Sequence, residues 1–159
     1  MKESARLGIR KILFVCTGNS CRSVMAEGLF KQMMADRESE FSISSAGTGT
    51  VDGYPSSEPT VRVMKEEGVD VSGHRSRRLT PDMIKFADRI YAMERMHKAA
   101  VLEMYPEAKG KVFLLTEFAP GNANGAEIDI PDPIQMSDSF YRNVLFIIRD
   151  CIARIVESL

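Results

Sequence analysis

The chain has 159 residues, of which 44% are hydrophobic and 27% are charged, and this composition predicts one folded domain with a packed core. Its 21 lysines and arginines are balanced by 22 aspartates and glutamates for a net charge of −1, so nucleic-acid binding is disfavoured. No apolar run approaches the roughly 20 residues that cross a bilayer. We therefore expect a single domain over residues 1–159, with no signal peptide and no membrane anchor.

Strands and helices alternate in the predicted order of elements. The continuous apolar run from Ile12 to Val15 predicts a strand buried on both faces, and the spacing of methionines and leucine after it predicts a helix over 22–35. The same patterns predict strands over 41–46, 89–93 and 112–115, helices ending before Gly68 and over 94–105, and an amphipathic helix from Phe140 to Leu159. This order predicts an α/β domain whose small parallel sheet is covered by helices on both faces.

Three cysteines, Cys16, Cys21 and Cys151, are too few for a disulfide framework in a chain of this length. Their odd number leaves at least one thiol free, which is typical of a reducing compartment, so we expect a cytoplasmic protein. Cys151 falls on the apolar face of the last predicted helix and is interpreted as a core residue. The two histidines, His74 and His97, lack the cysteine or acidic cluster of a metal site, so no metal is predicted.

The segment from Cys16 to Ser23 follows the first predicted strand directly, at the edge where open parallel sheets bind their ligands. Gly18 permits a positive φ, so that backbone N–H groups can turn toward an anion at the start of the next helix. Arg22 supplies two parallel donors for phosphate oxygens. The same positive field stabilises a thiolate, so we expect Cys16 to have a lowered pKa and to act as a nucleophile at neutral pH.

A route through a phosphocysteine also needs an acid for the leaving group and later a base for water. The long irregular segment from Glu117 to Asp138 is a candidate location, since such loops in compact domains are more often functional than idle. Within it, Asp132 lies between two prolines that stiffen the backbone around a positioned acid. Asp129 and Asp138 are the alternatives, and from local sequence alone Asp132 is equally well interpreted as a turn residue.

Five segments of the chain together carry a resemblance to a known family. They are residues 15–23, 44–48, 73–76 and 87–90, and the Asp132-Pro133 pair before the last helix. On these segments the chain resembles the low-molecular-weight protein tyrosine phosphatase family, including its bacterial phosphoarginine phosphatase branch, along nearly its whole length. The resemblance implies a phosphorylated protein substrate, no cofactor, and a four-stranded parallel sheet of flavodoxin-like topology. We expect a monomer or a weak dimer.

The resemblance also implies a role for each residue that matches the family motif. Cys16 is implied to be the nucleophile, Arg22 the clamp for phosphate and the transition state, and Asp132 the general acid and then base. Ser23 is implied to donate to the Cys16 thiolate. A supporting network is implied in which Asn19 is tied to two more residues, Ser45 and His74. The phosphate-binding loop is implied to comprise Thr17, Gly18, Asn19, Ser20, Cys21 and Ser23.

Two departures from the family pattern concern the substrate. Ser20 stands where many tyrosine phosphatases of the family have an apolar residue, and in this it looks like the bacterial phosphoarginine phosphatases. Ile134 and Gln135 replace the aromatic pair that follows Asp-Pro in eukaryotic members, and Tyr54 is the aromatic residue near the opposite rim. Because a phosphotyrosine ring gains from aromatic stacking, we place phosphotyrosine only slightly ahead of phosphoarginine.

Two other functions use the same loop sequence. Thioredoxin-coupled arsenate reductases share it, but they relay a disulfide through two further cysteines, and this chain has none between Arg22 and Cys151. A module that binds phosphoprotein without turnover is the second alternative, and it is disfavoured by the joint presence of Cys16, Arg22 and Asp132.

Oxidation is also expected to be able to form a disulfide between Cys16 and Cys21. An equally good interpretation is that Cys21 is only a small buried side chain of the core.

Overall fold

The computed structural model describes residues 8–159, so residues 1–7 of the predicted domain lie outside the described residues. Four strands form one sheet in which every pair is parallel and the spatial order is β2-β1-β3-β4. The four strands are β1 (Lys11–Cys16), β2 (Ser42–Gly47), β3 (Arg89–Ala92) and β4 (Val112–Leu114). The predicted four-stranded parallel sheet is confirmed, and each strand end lies within one residue of its predicted position.

In the part of the chain that the structure describes, five α-helices connect and follow the strands. They are α1 (Arg22–Met33), α2 (Glu58–Glu66), α3 (Pro81–Phe86), α4 (Arg95–Met104) and α5 (Asp138–Glu157). The sequence patterns predicted all of these except α3, which is six residues long. The sequence does contain a signal for the start of α3, which is a threonine followed by a proline at the first helical position. In the structure, the Thr80 side chain caps the helix by accepting a hydrogen bond from the backbone N–H of Met83. Within residues 8–159, no helix has both the length and the apolar character needed to cross a membrane.

The two faces of the sheet pack against different helices, as the apolar run in β1 predicted. On one face, Phe14 stacks on Tyr91 with ring centroids 5.6 Å apart, within a core completed by α1 and α5. On the other face, Leu13, Val15 and Ile90 share a core with α3 and α4. Because β1 is covered on both faces, the position of Cys16 at its end is fixed.

The last helix begins and ends two residues earlier than predicted, and one of its large apolar residues faces solvent. Cys151 is buried in the core, as predicted, whereas Ile147, an apolar residue of the same helix, is exposed. At about 100° per residue, the buried residues of this helix form one stripe centred on Ile148, and Ile147 lies outside that stripe.

The carboxyl ends of β1 and β3 bring three separate segments together. Val15 pairs with Ala92 in the sheet, so the loop after β1 and the corner between β3 and α4 are neighbours. Met93, in that corner, donates its backbone N–H to Val15 and accepts one from Ile130. The second of these hydrogen bonds draws the long irregular segment before α5 to the same edge of the sheet.

Candidate active site

The loop from Cys16 to Ser23 is built around a buried asparagine. Asn19 has a φ of 51°, in the left-handed region that asparagine tolerates better than most residues. The prediction that Gly18 supplies the positive φ is wrong, because the left-handed turn falls one residue later. The backbone carbonyl of Asn19 accepts a hydrogen bond from His74 Nε2 at 2.9 Å, and its side-chain Oδ1 accepts the backbone N–H of Arg77 at 2.9 Å. These two contacts hold the strained residue in place.

The direction of the hydrogen bonds around Asn19 determines what faces the sulfur. Since its Oδ1 is an acceptor, its Nδ2 donates to both Ser45 Oγ, at 2.9 Å, and Ser23 Oγ, at 2.8 Å. Ser45 in turn donates to Glu27 Oε1 at 2.5 Å. Ser23 is left with its own proton for Cys16 Sγ, which lies 2.9 Å away. The network therefore directs a hydroxyl donor at the cysteine sulfur.

Cys16 is buried at the end of β1, where it is 2% exposed. Burial raises the pKa of its thiol, while the hydrogen bonds of Ser23, the charge of Arg22 and the N–H of Asn19 lower it by less. The lowered pKa expected from the sequence is therefore wrong. A residue at the end of a strand covered on both faces loses more hydration than its loop restores.

Arg22, the first residue of α1, is 2% exposed and has three partners from other segments. Its Nη1 donates to Glu94 Oε2 at 2.6 Å and to the carbonyl of Ile130 at 2.7 Å, and its Nη2 lies 3.6 Å from Asp132 Oδ2. Buried guanidinium groups need such acceptors, and the planar group is fixed in orientation by them. The guanidinium is therefore preorganised at the loop, against both the β3–α4 corner and the irregular segment.

The structure separates the three candidate acids by their partners. Asp132 is 45% exposed and is the one of the three whose carboxylate is paired with Arg22. Asp129 accepts hydrogen bonds from the backbone N–H of Arg95, at 2.7 Å, and from its side chain. Asp138 begins α5 and is paired with an arginine of α2. Only Asp132 therefore lies at the loop with a carboxylate accessible to solvent.

Cys21 and Ser20 connect the loop to the neighbouring helices. Cys21 Sγ lies 3.3 Å from Ser57 Oγ and 3.6 Å from the hydroxyl of Tyr141. Ser20 is half-buried, and its carbonyl accepts the backbone N–H of Ser57 at 3.1 Å. Both thiols of the loop are free, and the expected disulfide between Cys16 and Cys21 stays a prediction.

Gly47, at the end of β2, allows the closest backbone approach to the loop. A Cβ atom at this position would lie 2.5 Å from the carbonyl oxygen of Thr17 and 3.0 Å from the backbone nitrogen of Asn19. The next two residues, Thr48 and Gly49, donate their backbone N–H groups to the carbonyls of Cys16 and Thr17 at 2.9 Å each. Only glycine fits at position 47, and the rest of the turn braces the start of the loop.

The sequence interpretation missed three residues of the site. Glu94 directly follows the corner after β3, so the rule that ligands bind beyond strand ends could have found it. His97 lies in the first turn of α4, with its Nε2 2.7 Å from Thr17 Oγ1. Glu27 lies one helical turn after Ser23 on the same side of α1. Among residues 8–159, no group of three or more histidine, cysteine and acidic side chains is placed to hold a metal ion.

A buried cysteine and arginine on one loop, at the end of the first strand of a four-stranded parallel sheet, define the class of cysteine-dependent phosphatases. The family model for low molecular weight phosphotyrosine protein phosphatase matches residues 11–159. The chain therefore belongs to the low-molecular-weight protein tyrosine phosphatase family, whose members are cysteine-dependent hydrolases.

Relatives within this family carry two kinds of name. A probable low molecular weight protein-tyrosine-phosphatase, EpsP of Ralstonia nicotianae, is 35% identical over 89% of this chain and 90% of its own length. A protein-arginine-phosphatase of Geobacillus stearothermophilus is 36% identical over 94% of this chain and 95% of its own. The crystal structure of a low molecular weight protein tyrosine phosphatase from T. tengcongensis matches with a TM-score of 0.85 and 36% identity, covering 94% of this chain and 99% of that one.

Proposed function

We propose that this protein removes phosphate from phosphorylated protein side chains through a phosphocysteine formed on Cys16. The observation that carries the proposal is the convergence of three groups on one loop. The Cys16 sulfur faces a hydroxyl donor from Ser23, and the Arg22 guanidinium, which begins the helix after the loop, is paired with the Asp132 carboxylate. These are a nucleophile, an anion clamp and an acid or base, each held by a different element.

In the first step, Cys16 gives up its thiol proton to solvent and reacts as the thiolate. Its sulfur attacks phosphorus, and an S–P bond forms as the bond to the leaving oxygen or nitrogen breaks. Protonated Asp132 gives its proton to that leaving atom. In the second step, the Asp132 carboxylate takes a proton from water, whose oxygen attacks phosphorus and releases inorganic phosphate and the thiolate. Arg22 binds two of the phosphate oxygens throughout, and Ser23 donates to the sulfur when it leaves.

Phosphotyrosine is the first candidate substrate. Tyr54 is 60% exposed and lies on a turn held by the buried Ser76, three residues before Ser57, whose backbone N–H binds the carbonyl of Ser20 in the loop. The hydroxyl of Ser76 accepts the backbone N–H of Tyr54 at 2.9 Å and donates to the carbonyl of Val51 at 2.6 Å. A ring presented on a fixed turn can stack on the ring of a substrate at little entropic cost.

Phosphoarginine is the second candidate, and two observations favour it. The loop carries the hydroxyl of Ser20 where an apolar side chain would favour an aromatic substrate, and the segment after Asp132 carries Ile134, an exposed aliphatic residue, in place of an aromatic wall. A relative of 36% identity is named a protein-arginine-phosphatase.

The two candidates are separated by measuring kcat/KM on matched phosphotyrosine and phosphoarginine peptides, with Cys16→Ser as the blank. We expect Tyr54→Ala to lower kcat/KM for the phosphotyrosine peptide about tenfold, and for the phosphoarginine peptide much less, because an aromatic pair contributes about 0.5–1.5 kcal/mol. Tyr54→Phe keeps the ring and is the matched control. Faster turnover of the arginine peptide by the wild type, with no response to Tyr54→Ala, would establish phosphoarginine as the substrate.

Asp132→Asn is expected to slow hydrolysis most for substrates with a poor leaving group. The amide cannot donate the proton that a tyrosine oxygen needs, so kcat on a phosphotyrosine peptide should fall about 10²- to 10³-fold. The fall for p-nitrophenyl phosphate, whose leaving group needs little protonation, should be smaller. Asp129→Asn is the matched control, since Asp129 is held by Arg95; if this variant shows the leaving-group dependence instead, the acid is misassigned.

Arsenate reduction is a poorer interpretation of the same loop. That chemistry requires an accessible cysteine to take over the disulfide from the nucleophile. Beyond the loop, the third cysteine of the chain is Cys151, which is fully buried in α5, and burial raises the pKa of its thiol to about 12. A thiol in this state is a poor relay.

We also propose that the protein is cytoplasmic and acts as one domain, as a monomer or weak dimer, on phosphorylated proteins. The family match over residues 11–159 and the cysteine content support this setting. Size-exclusion chromatography with light scattering at two concentrations tests the oligomeric state. A stable dimer at micromolar concentration would contradict the proposal.

A further inference from the structure

His97 is a buried histidine that the proposed chemistry does not use. It is fully buried in the first turn of α4, and both ring nitrogens have partners. Nε2 lies 2.7 Å from Thr17 Oγ1, on the residue directly after the nucleophile. Nδ1 lies 3.1 Å from the backbone nitrogen of Glu94, which donates its proton to the ring.

These two contacts fix the protonation of the ring. Because Nδ1 accepts the N–H of Glu94, it cannot carry a proton, so the proton of the neutral ring lies on Nε2. His97 therefore donates to the hydroxyl oxygen of Thr17. The methyl group of Thr17 lies next to Gly49, where a Cβ would be 3.1 Å from Cγ2. The side chain of Thr17 is held from the β2 side and from the β3 side at once.

The same corner also holds the other end of the loop. The backbone N–H of Glu94 donates to the His97 ring, and the Glu94 carboxylate accepts a hydrogen bond from Arg22 Nη1. Thr17 is thus tied to the start of α4 through His97, and Arg22 is tied to it through Glu94. A change at the ring moves the contacts of both ends of the phosphate-binding loop.

We propose that neutral His97 is a positioning residue that sets the width of the phosphate-binding loop, by donating to Thr17 while it accepts from Glu94. The inference rests on the proposed function, since it assumes that the loop binds phosphate. The group acts through Thr17 and Glu94 and does not touch the reacting atoms.

Burial is the main reason why the His97 ring is neutral. Burial and the positive charge of Arg22 lower the pKa of His97 to about 4, against the opposing effects of Glu94, Asp129 and Asp132. Protonation would place an N–H at Nδ1 against the N–H of Glu94 and break the contact that ties the corner together. The ring therefore stays a donor to Thr17 at neutral pH.

The test measures the inhibition constant of inorganic phosphate against hydrolysis of p-nitrophenyl phosphate. Thr17→Val, which removes the hydroxyl and keeps the shape, should weaken phosphate binding about tenfold, the effect of one hydrogen bond. Thr17→Ser should rescue most of this loss. Thr50→Val removes a hydroxyl from the neighbouring exposed turn and is the matched control. Thr17→Val with the wild-type inhibition constant would overturn the inference.

Variants of His97 test the other partner. His97→Leu removes the contacts to both Thr17 and Glu94, so it should weaken phosphate binding at least as much as Thr17→Val does. The double variant should bind no more weakly than His97→Leu alone, because that single variant has already lost the hydrogen bond to Thr17. His97→Gln, which keeps a donor near Nε2, should rescue binding. Additive losses in folded His97→Leu and Thr17→Val would overturn the inference. A wild type that does not bind phosphate would instead overturn the proposed function.

The pH dependence of stability separates a neutral ring from a charged one and does not require activity. A histidine with a lowered pKa binds a proton more readily in the unfolded chain than in the folded one, so the wild type should lose stability as the pH falls from 6.5 towards 4. His97→Gln should lose less over the same interval, measured by urea unfolding. Equal losses in the two proteins would contradict a neutral His97.

Discussion

Cys16→Ser is expected to abolish turnover, lowering kcat on phosphotyrosine and phosphoarginine peptides by at least about four orders of magnitude. The serine oxygen is a far weaker nucleophile than a thiolate, and the groups aimed at position 16, which are the Ser23 hydroxyl and the Asn19 N–H, cannot ionise an alcohol at neutral pH. Single-turnover kinetics with excess enzyme measure the residual rate.

Two measurements keep this prediction specific to the Cys16 sulfur. Inorganic phosphate should still bind to Cys16→Ser, because Arg22 and the loop backbone are intact, and calorimetry detects that binding. Cys21→Ser should reduce turnover far less, since the sulfur of Cys21 faces Ser57 and Tyr141. If Cys21→Ser is the inactive variant and Cys16→Ser retains turnover, the nucleophile is misassigned.

Arg22→Ala is expected to have the second largest effect, lowering kcat/KM by about 10³-fold or more, as arginines that clamp a transferring phosphoryl group do. The loss has two causes. The transition state loses its bidentate partner, and the Glu94 carboxylate, which accepts Arg22 at 2.6 Å, is left without its cation. The melting temperature should therefore fall as well.

Arg22→Lys separates the two causes. The ammonium keeps the positive charge beside Glu94 and Asp132 but cannot make two parallel hydrogen bonds to phosphate. We expect its melting temperature to stay closer to that of the wild type, while kcat/KM remains at least about 10²-fold reduced. Arg142→Ala, which breaks an exposed ion pair with Glu66, is the matched control and should change neither. Wild-type kcat/KM in Arg22→Lys would show that charge alone suffices.

The sequence determined those features that local patterns encode. The apolar run in β1 predicted a strand buried on both faces, and the order of strands and helices predicted the parallel sheet. The loop residues from Cys16 to Ser23 could be recognised because they are contiguous in the chain and follow the strand directly. Their family resemblance was sufficient to identify the class of enzyme, which the comparisons confirmed.

Tertiary structure decided what depends on residues far apart in the chain. The flanking prolines favoured Asp132 as the acid, but local sequence left Asp129 as an alternative. The positions of Arg22 and Arg95 in the fold separate the two carboxylates. The hydrogen bond between Thr17 and His97 joins residues 80 positions apart, so no local pattern predicts it.

The pKa of Cys16 was predicted with the wrong sign for the same physical reason. The residues around the loop indicate the charges and donors near the sulfur, and these lower the pKa. They do not show how completely two layers of helices remove water from the end of β1. Desolvation depends on the whole fold, and in this site it outweighs the hydrogen bonds and the charge that lower the pKa of Cys16.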